Sequence, residues 1–453
     1  MGNKRLRNVG ILILVWVSFL YFTTNSSFAA IDNTKIAVIS DVHYYAPELG
    51  TTGSEFENYL ANDRKMLKES AAILRSVVNA IKRSDAEIVL ITGDLTKDGE
   101  LLCHQQLIGY LEELQQAGKK VFVINGNHDI NNPDAYSYSG SSKTRVPTIS
   151  SSDFKQLYHN FGYDQAIAKD PTSTSYVVEP FNGLRIIAMD SCLYEPQQTA
   201  GGFSASRLAW IKDQIKDASL HKKTIIGMMH HGITEHFWGQ ATFFPEYIIP
   251  NANQIANEFS ALGLKIVFTG HFHAQDITEK QTIFNHKNSF MLDIETGSLV
   301  SPPSPIRYVE LTADNKIKIS TKTIKSIDYN TNGLDFQTYA KNIFEIDLTK
   351  QVPFRLAGFM MDHGYTKAQA TVFVNKQVAP PLQITVSDLL VKAAEAHYFG
   401  DEAIDPQTLA ICNNMKNYSE LRTIGKFVQS FRTDLYPADN NVTIDLVTGK
   451  VVD

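Results

Sequence analysis

Cysteine is scarce in this chain: Cys103, Cys192 and Cys412 are the only three in 453 residues. Their odd number and wide spacing exclude a disulfide framework and a zinc-binding cysteine motif, leaving buried thiols with at most one bridge. Basic charge is also in deficit, with 42 Lys and Arg against 48 Asp and Glu and a formal net charge of -6. That balance excludes a generic nucleic-acid surface, which needs clustered cations against phosphate, and leaves room only for a local basic groove. No internal repeat or low-complexity tract occurs; the nearest approach is the Ser- and Tyr-rich stretch from Ala135 to Ser152. With 43% hydrophobic and 20% charged residues, the composition is that of a globular protein with one large core and room for a smaller second domain.

Long apolar runs are missing too. The longest, Ile11 to Phe22, is short of the ~20 residues that cross a bilayer. It follows Lys4, Arg5 and Arg7 and is closed by the small residues Ser27, Ala29 and Ala30, the pattern of a secretory signal expected to end at residue 29. No cysteine lies near that point and no two arginines adjoin, which excludes a lipoprotein anchor and a twin-arginine signal. The expectation is a secreted or cell-envelope protein, bacterial in character, with no stable membrane span after cleavage; an uncleaved anchor is the alternative. Removing three basic residues takes the net charge from -6 to -9.

What is present is an alternation of apolar runs and amphipathic segments. Ile36 to Ile39, Glu87 to Thr92 and Val121 to Ile124 read as strands. Between them, the spacing of Met66, Ile73, Val77 and Ile81 predicts a helix from Asp63 to Ile81, and Leu107, Tyr110, Leu111 and Leu114 a second one ended by Gly118. This is βαβαβ, a parallel sheet whose ligands collect at the carboxyl ends of the strands. Further strands are expected at Thr174 to Val178, Leu184 to Ala188, Thr224 to Met229, Lys265 to Thr269 and Phe290 to Ile294, a helix over Leu208 to Ile215, and a hairpin of Ile306 to Leu311 with Ile317 to Ile324. The polar stretch from Asp328 to Gly333 marks a boundary, giving domains at 30–328 and 329–453. The second part is mainly helical, with Ser387 as a helix cap, Gly400 as a helix end and an apolar stripe from Leu421 to Leu435.

Five polar blocks lie where these strands end: Asp41-Val42-His43, Gly93-Asp94-Leu95, Gly126-Asn127-His128-Asp129, His230-His231-Gly232 and Gly270-His271-Phe272-His273. Together they supply the oxygen and imidazole donors that two cations held close together require. Asp94 is the natural bridging carboxylate. In an extended segment Asp41 and His43 point the same way, as do His271 and His273, so each pair can reach one ion. Asn127 offers a carbonyl oxygen and His230 another imidazole. Such mixed sets suit iron, manganese, zinc, nickel or cobalt better than calcium or magnesium. Gly93, Gly126 and Gly270 let the backbone turn tightly, and Asp129 braces its turn or acts directly.

The ordered blocks resemble the calcineurin-like metallophosphoesterases, over roughly Ile36 to Leu299. The resemblance implies an α/β fold, a four-layer sandwich of two mixed sheets flanked by helices. It implies two transition-metal ions, iron or manganese first, one held by Asp41, His43, Asp94 and His273 and the other by Asp94, Asn127, His230 and His271. His231 would stand behind them, and His128 would protonate the leaving oxygen or donate to the phosphoryl group. The other histidines, such as His104, His236 and His397, are left outside the chemistry.

Leu95-Thr96-Lys97-Asp98 lacks the tyrosine that purple acid phosphatases place there, and the Asp-Arg pair and GNHE block of the protein phosphatases are absent. The combination is most similar to the class III cyclic nucleotide phosphodiesterases. The expected substrate is therefore a small phosphodiester, a cyclic nucleotide first, hydrolysed by metal-activated water. The alternatives are a phosphomonoesterase or nucleotidase on the same site, or an inactive scaffold. Tyr44 and Tyr45, with Phe237, Trp238, Phe243, Phe244 and Tyr247, are candidates to line the rim, where they would stack on a base or form a hydrophobic plug.

Overall fold

The computed structural model describes residues 33–452. The segment read as a secretory signal lies outside the described residues, and among those described no helix is long and apolar enough to cross a membrane.

Two mixed sheets carry the structure. In the first, Thr34–Ile39 runs parallel to Ile88–Ile91, which runs parallel to Lys120–Val123. On its other side Thr34–Ile39 pairs antiparallel with Pro305–Leu311, which continues through the expected hairpin to Lys316–Thr323. In the second, Leu184–Ala188, Thr224–Met228, Ile266–Thr269 and Lys287–Glu295 are parallel neighbours. Antiparallel strands flank them, Tyr176–Phe181 on one side and Asp276–Phe284 on the other.

Side-chain alternation explains the layering. Ile226, Met228, Ile266, Phe268, Leu292 and Ile294 share a core with the first sheet's Ile36, Val38, Leu90 and Val309. Their strand neighbours Ile225, Val267 and Met291 instead meet Ile211 and Ile215 of the helix Ala205–Leu220 and Phe259 of Ala252–Leu262. On the far side of the first sheet, the helices Ser70–Arg83 and Leu101–Gln116 bury Ile73, Val77, Ile81, Leu107 and Leu111. The result is helices, sheet, sheet, helices, the four layers expected.

Two expectations are corrected, and a third holds with an addition. The helix read from Asp63 begins at Ser70, because Met66 donates its N–H to the Val300 carbonyl at 2.8 Å and holds residues 63–69 as an irregular strap. The cap of the helix Val386–Phe399 is Thr385, whose side chain accepts from the Asp388 N–H in a capping box, so Ser387 lies inside the helix. The C-terminal part is helical through Phe336–Asp362, Val386–Phe399, Pro406–Met415 and Arg422–Ser430. Its last strand, Asn441–Asp445, nevertheless returns to the first sheet and pairs with Lys316–Thr323, which ties the C-terminal part to the layered sheets. All three cysteines are buried and free.

Candidate metal centre

Each of the five blocks follows the carboxyl end of a strand, and hydrogen bonds stitch the blocks to one another. Asp41 N–H donates to the Gly93 carbonyl at 3.1 Å, and His43 N–H to the Asp94 carbonyl at 2.9 Å. His128 N–H donates to Asp94 Oδ1 at 2.9 Å, His271 N–H to Asp41 Oδ2 at 3.0 Å, and Gly270 N–H to the His230 carbonyl at 3.0 Å. Backbone groups thus aim side chains that are up to 230 residues apart in sequence.

The result is a buried pair of donor sets. One ligand atom from each of Asp41, His43, Asp94 and His273 falls within 4.8 Å of the others, and so does one from each of Asp94, His230 and His271. Asn127 joins the second set, with Oδ1 3.0 Å from His230 Nε2. Asp94 is common to both sets, as expected of a bridging carboxylate.

The reason these residues converge differs from the expected one. Asp41, His43, Asp94, His271 and His273 all have left-handed backbone, with φ between 41° and 77°. They sit on sharp turns and not on extended segments, a conformation that L-residues adopt at a cost of ~1–3 kcal/mol and that strand-end hydrogen bonds sustain here. Gly93 has a positive φ of 101°, but Gly126 and Gly270 are glycines for lack of space. A Cβ on Gly126 would lie 2.1 Å from Asp94 Oδ1, and one on Gly270 would lie 1.9 Å from Ser40 Oγ.

The donor chemistry fits cations. His230 Nδ1 donates to the Thr92 carbonyl at 3.0 Å, so Nε2, 3.3 Å from Asp94 Oδ2, is the nitrogen that faces the position of a cation. The Nε2 atoms of His43 and His273 face each other at 3.2 Å, and His273 Nε2 is 3.3 Å from Asp41 Oδ1. Burial, with Lys65 second, keeps His43 neutral, and burial with His231 and His230 does the same for His271, the state in which imidazole ligates a metal. At His230 burial is overridden by Asp94, which raises the imidazole to about 9. Asp94 therefore draws positive charge to this point, and a proton or a metal cation can supply it.

The remaining members of the blocks support the donors. His231 lies behind them, with Nδ1 2.9 Å from Ser191 Oγ and Nε2 2.9 Å from the Thr199 carbonyl; burial and His230 lower it to about 3. Asp129 braces the turn: Oδ1 accepts from Thr96 N–H and Oγ1–H at 3.0 Å each, and Oδ2 from Leu95 N–H at 3.1 Å and Gly126 N–H at 2.8 Å. His128 stands at the mouth, with Nε2 3.9 Å from Asp94 Oδ2 and Nδ1 2.8 Å from Asp98 Oδ1. Asp98 is a residue that sequence reasoning missed, although it lies four positions after Asp94. Burial works to raise its pKa, but Lys97 and His128 outweigh burial and hold it below the carboxylate range. The cleft over the donors is also lined by Arg64, Lys65, Thr199, Tyr247 and Arg355, none of which belongs to a block.

Of the aromatic candidates, Tyr247 alone borders this cleft. Tyr44 and Tyr45 are buried, their hydroxyls donating to Gln106 Oε1 at 2.6 Å and to the Tyr136 carbonyl at 2.9 Å. Phe237 is buried among Phe272, Phe427 and Phe431, with Phe243 and Phe244 packed on that cluster, so these rings act as a plug against the C-terminal helices. Trp238 packs outside under Lys426, whose Nζ is 3.5 Å from the ring centroid.

A family model described as calcineurin-like phosphoesterase matches residues 34–275, and the chain belongs to that family. It is a metallophosphoesterase with a buried Asp and His cluster suited to a two-metal site. No curated protein matches the sequence significantly. Among solved structures it is similar to a dimetal phosphatase from Danio rerio, at 14% identity over 65% of this chain and 97% of that one, with a TM-score of 0.45. It is also similar to purple acid phosphatase PPD1 from yellow lupin, at 9% identity over 68% and 53% with a TM-score of 0.43. The NAD nucleotidase of Haemophilus influenzae aligns at 10% identity over 77% and 62%, with a TM-score of 0.35.

Proposed function

We propose that the protein is an exported phosphodiesterase with two metal ions. Asp41, His43, Asp94 and His273 hold one ion, and Asp94, Asn127, His230 and His271 hold the other. The observation that carries this reading is the position of Asp94, common to two buried donor sets that each span no more than 4.8 Å. Iron or manganese best suits the mixed nitrogen and oxygen donors, with zinc, nickel or cobalt next. When bound, such ions polarise the phosphoryl oxygens and acidify the attacking water.

The chain's own groups complete the chemistry. His128, steered by Asp98, faces the cleft and protonates the departing oxygen or donates to the phosphoryl group. Arg64 and Arg355 border the same cleft beside the ion pair of Lys65 with Asp63 at 3.3 Å, and the two guanidinium groups favour an anionic substrate. Small phosphodiesters are the substrate class, and cyclic nucleotides are the members to which the combination of blocks is most similar. What supports a diester over a monoester is that combination, including a Leu95-Thr96-Lys97-Asp98 run without the tyrosine that purple acid phosphatases place there. Export is supported by the basic, apolar and small-residue succession of residues 1–30.

Parallel assays with bis-p-nitrophenyl phosphate and p-nitrophenyl phosphate test the reaction class, and a strong preference for the monoester would overturn the diesterase reading. N-terminal sequencing of the protein from the medium or envelope fraction tests export.

A further inference from the structure

The cleft over the donor sets opens sideways. Arg64, Tyr247 and Arg355, which line it, also line a second cavity of about 540 Å³. That cavity lies between the segment Phe243 to Tyr247 and three C-terminal helices, Phe336–Asp362, Val386–Phe399 and Arg422–Ser430. Its walls are formed by residues such as Phe244, Phe272, Leu348, Leu356, Leu390 and Phe427. Its volume falls within the ~300–1,000 Å³ of small-molecule sites.

Tyr247 is the partition between the two spaces. Its ring centroid is 4.7 Å from that of His271 on the metal side and 4.9 Å from that of Phe272 on the apolar side. Arg64 packs over the Tyr398 ring at 5.7 Å, and Arg355 is exposed at the junction. A cationic neck therefore connects a phosphate-sized polar cleft to an apolar chamber. Polar groups, among them Glu246, Asp362, Tyr398 and Thr423, also line the chamber but are outnumbered by Phe, Leu, Ile, Val and Ala side chains, and a nucleobase set against that apolar wall would exchange bonds to water for few in return. An alkyl chain has nothing to lose in such a chamber, and each methylene group gains from leaving water.

We propose that this chamber is the subsite for the organic group of the substrate, and that the group is an alkyl or acyl chain, so that the enzyme acts on lipid-like phosphodiesters. The inference rests on the diesterase reading and, within small phosphodiesters, selects chain-bearing esters in place of cyclic nucleotides. It also gives the C-terminal helices a task, since they build most of the chamber. The reaction balances as an ordinary hydrolysis: water's oxygen bonds to phosphorus, one ester P–O bond breaks, and the departing alkoxide takes up a proton.

The test uses the full chain loaded with manganese and a series of methyl, butyl and octyl p-nitrophenyl phosphodiesters, with 3',5'-cyclic AMP for comparison. Calorimetric titration with methyl-, butyl- and octylphosphonate reads binding without turnover. The expected result is a gain in kcat/KM and in phosphonate affinity of about two- to fourfold per added methylene until the chamber is filled, with the octyl ester preferred to cyclic AMP. Leu356→Trp, which fills the chamber, flattens both series, and Leu390→Trp does so from the opposite helix. Series that are flat in the unmodified protein, or a preference for cyclic AMP over the octyl ester, overturn the inference and leave the diesterase reading standing. Chain-dependent phosphonate binding without turnover of any diester supports the chamber and sinks the diesterase reading alone.

Discussion

His128 Nδ1 and Asp98 Oδ1 are 2.8 Å apart, and Asp98 is in turn ion-paired with the fully buried Lys97. The carboxylate fixes which imidazole nitrogen carries the bound proton, and so turns Nε2 toward Asp94 and the cleft. Asp98→Asn is expected to lower kcat on bis-p-nitrophenyl phosphate about ten- to a hundredfold, the scale on which a group orienting a catalytic side chain acts, with metal content unchanged. Steady-state kinetics paired with metal analysis check this. An unchanged kcat would show that His128 needs no such steering.

Asp94 belongs to both donor sets, so its loss should empty both. Asp94→Ala is expected to reduce turnover by at least ~10³-fold and to lower bound metal well below that of the parent protein, while the circular dichroism spectrum stays native. Retention of both metals would remove Asp94 from its bridging role.

Chelation should act reversibly on the same site. Stripping with a strong chelator is expected to abolish hydrolysis and to lower the melting temperature, and both should return on adding manganese in a concentration-dependent manner, because an ion that binds only the folded state stabilises it by mass action. Melting curves and activity measured across a manganese titration give the result. A melting temperature indifferent to metal would contradict a resident ion.

Gly126→Ala tests the packing of the centre. The added Cβ would meet Asp94 Oδ1 at 2.1 Å and Asp94 N at 2.2 Å, so either the turn or the carboxylate must move. The expected cost is about 2–4 kcal/mol in urea unfolding, together with loss of metal affinity. A variant as stable and as active as the parent would mean that the turns of Gly126 and Asp94 have room to separate.

The pH dependence of stability has a definite sign at His104. Its Nδ1 is 2.8 Å from the Tyr158 hydroxyl and its Nε2 3.0 Å from the Asp129 carbonyl, and burial lowers its pKa to about 3. The unfolded chain binds the proton near pH 6.5. The neutral imidazole's contribution is therefore full above that value and is lost as pH falls toward 3, with a slope of at most ~1.4 kcal/mol per pH unit. Urea unfolding from pH 7 to pH 4 should show this slope, and His104→Gln should reduce it. Parallel curves for the two proteins would remove His104 as its source.

Much of the architecture was legible in the sequence because it is locally encoded. Runs such as Ile88–Ile91 and Ile266–Thr269 are buried on both faces and read as continuous apolar strands. The polar blocks beyond them mark the ends of those strands, and all seven expected donors lie together. Local pattern misled where a distant contact overruled it. The strap of residues 63–69 has helical periodicity, yet the Val300 carbonyl takes the Met66 N–H, and Arg64 and Lys65 are thereby left at the cleft.

The sequence by itself determined which residue types stand at the strand ends and in what order, since hydrophobic periodicity and turn chemistry act over a few residues. Only the tertiary structure decided how they meet. The left-handed turns at Asp41, Asp94 and His271, the steering of His128 by Asp98, and the joining of the cleft to an apolar chamber depend on segments packing together from far along the chain. His43 and His273 are 230 positions apart, and no short-range pattern relates them. Their Nε2 atoms meet because two sheets sharing one core bring their strand ends to the same edge.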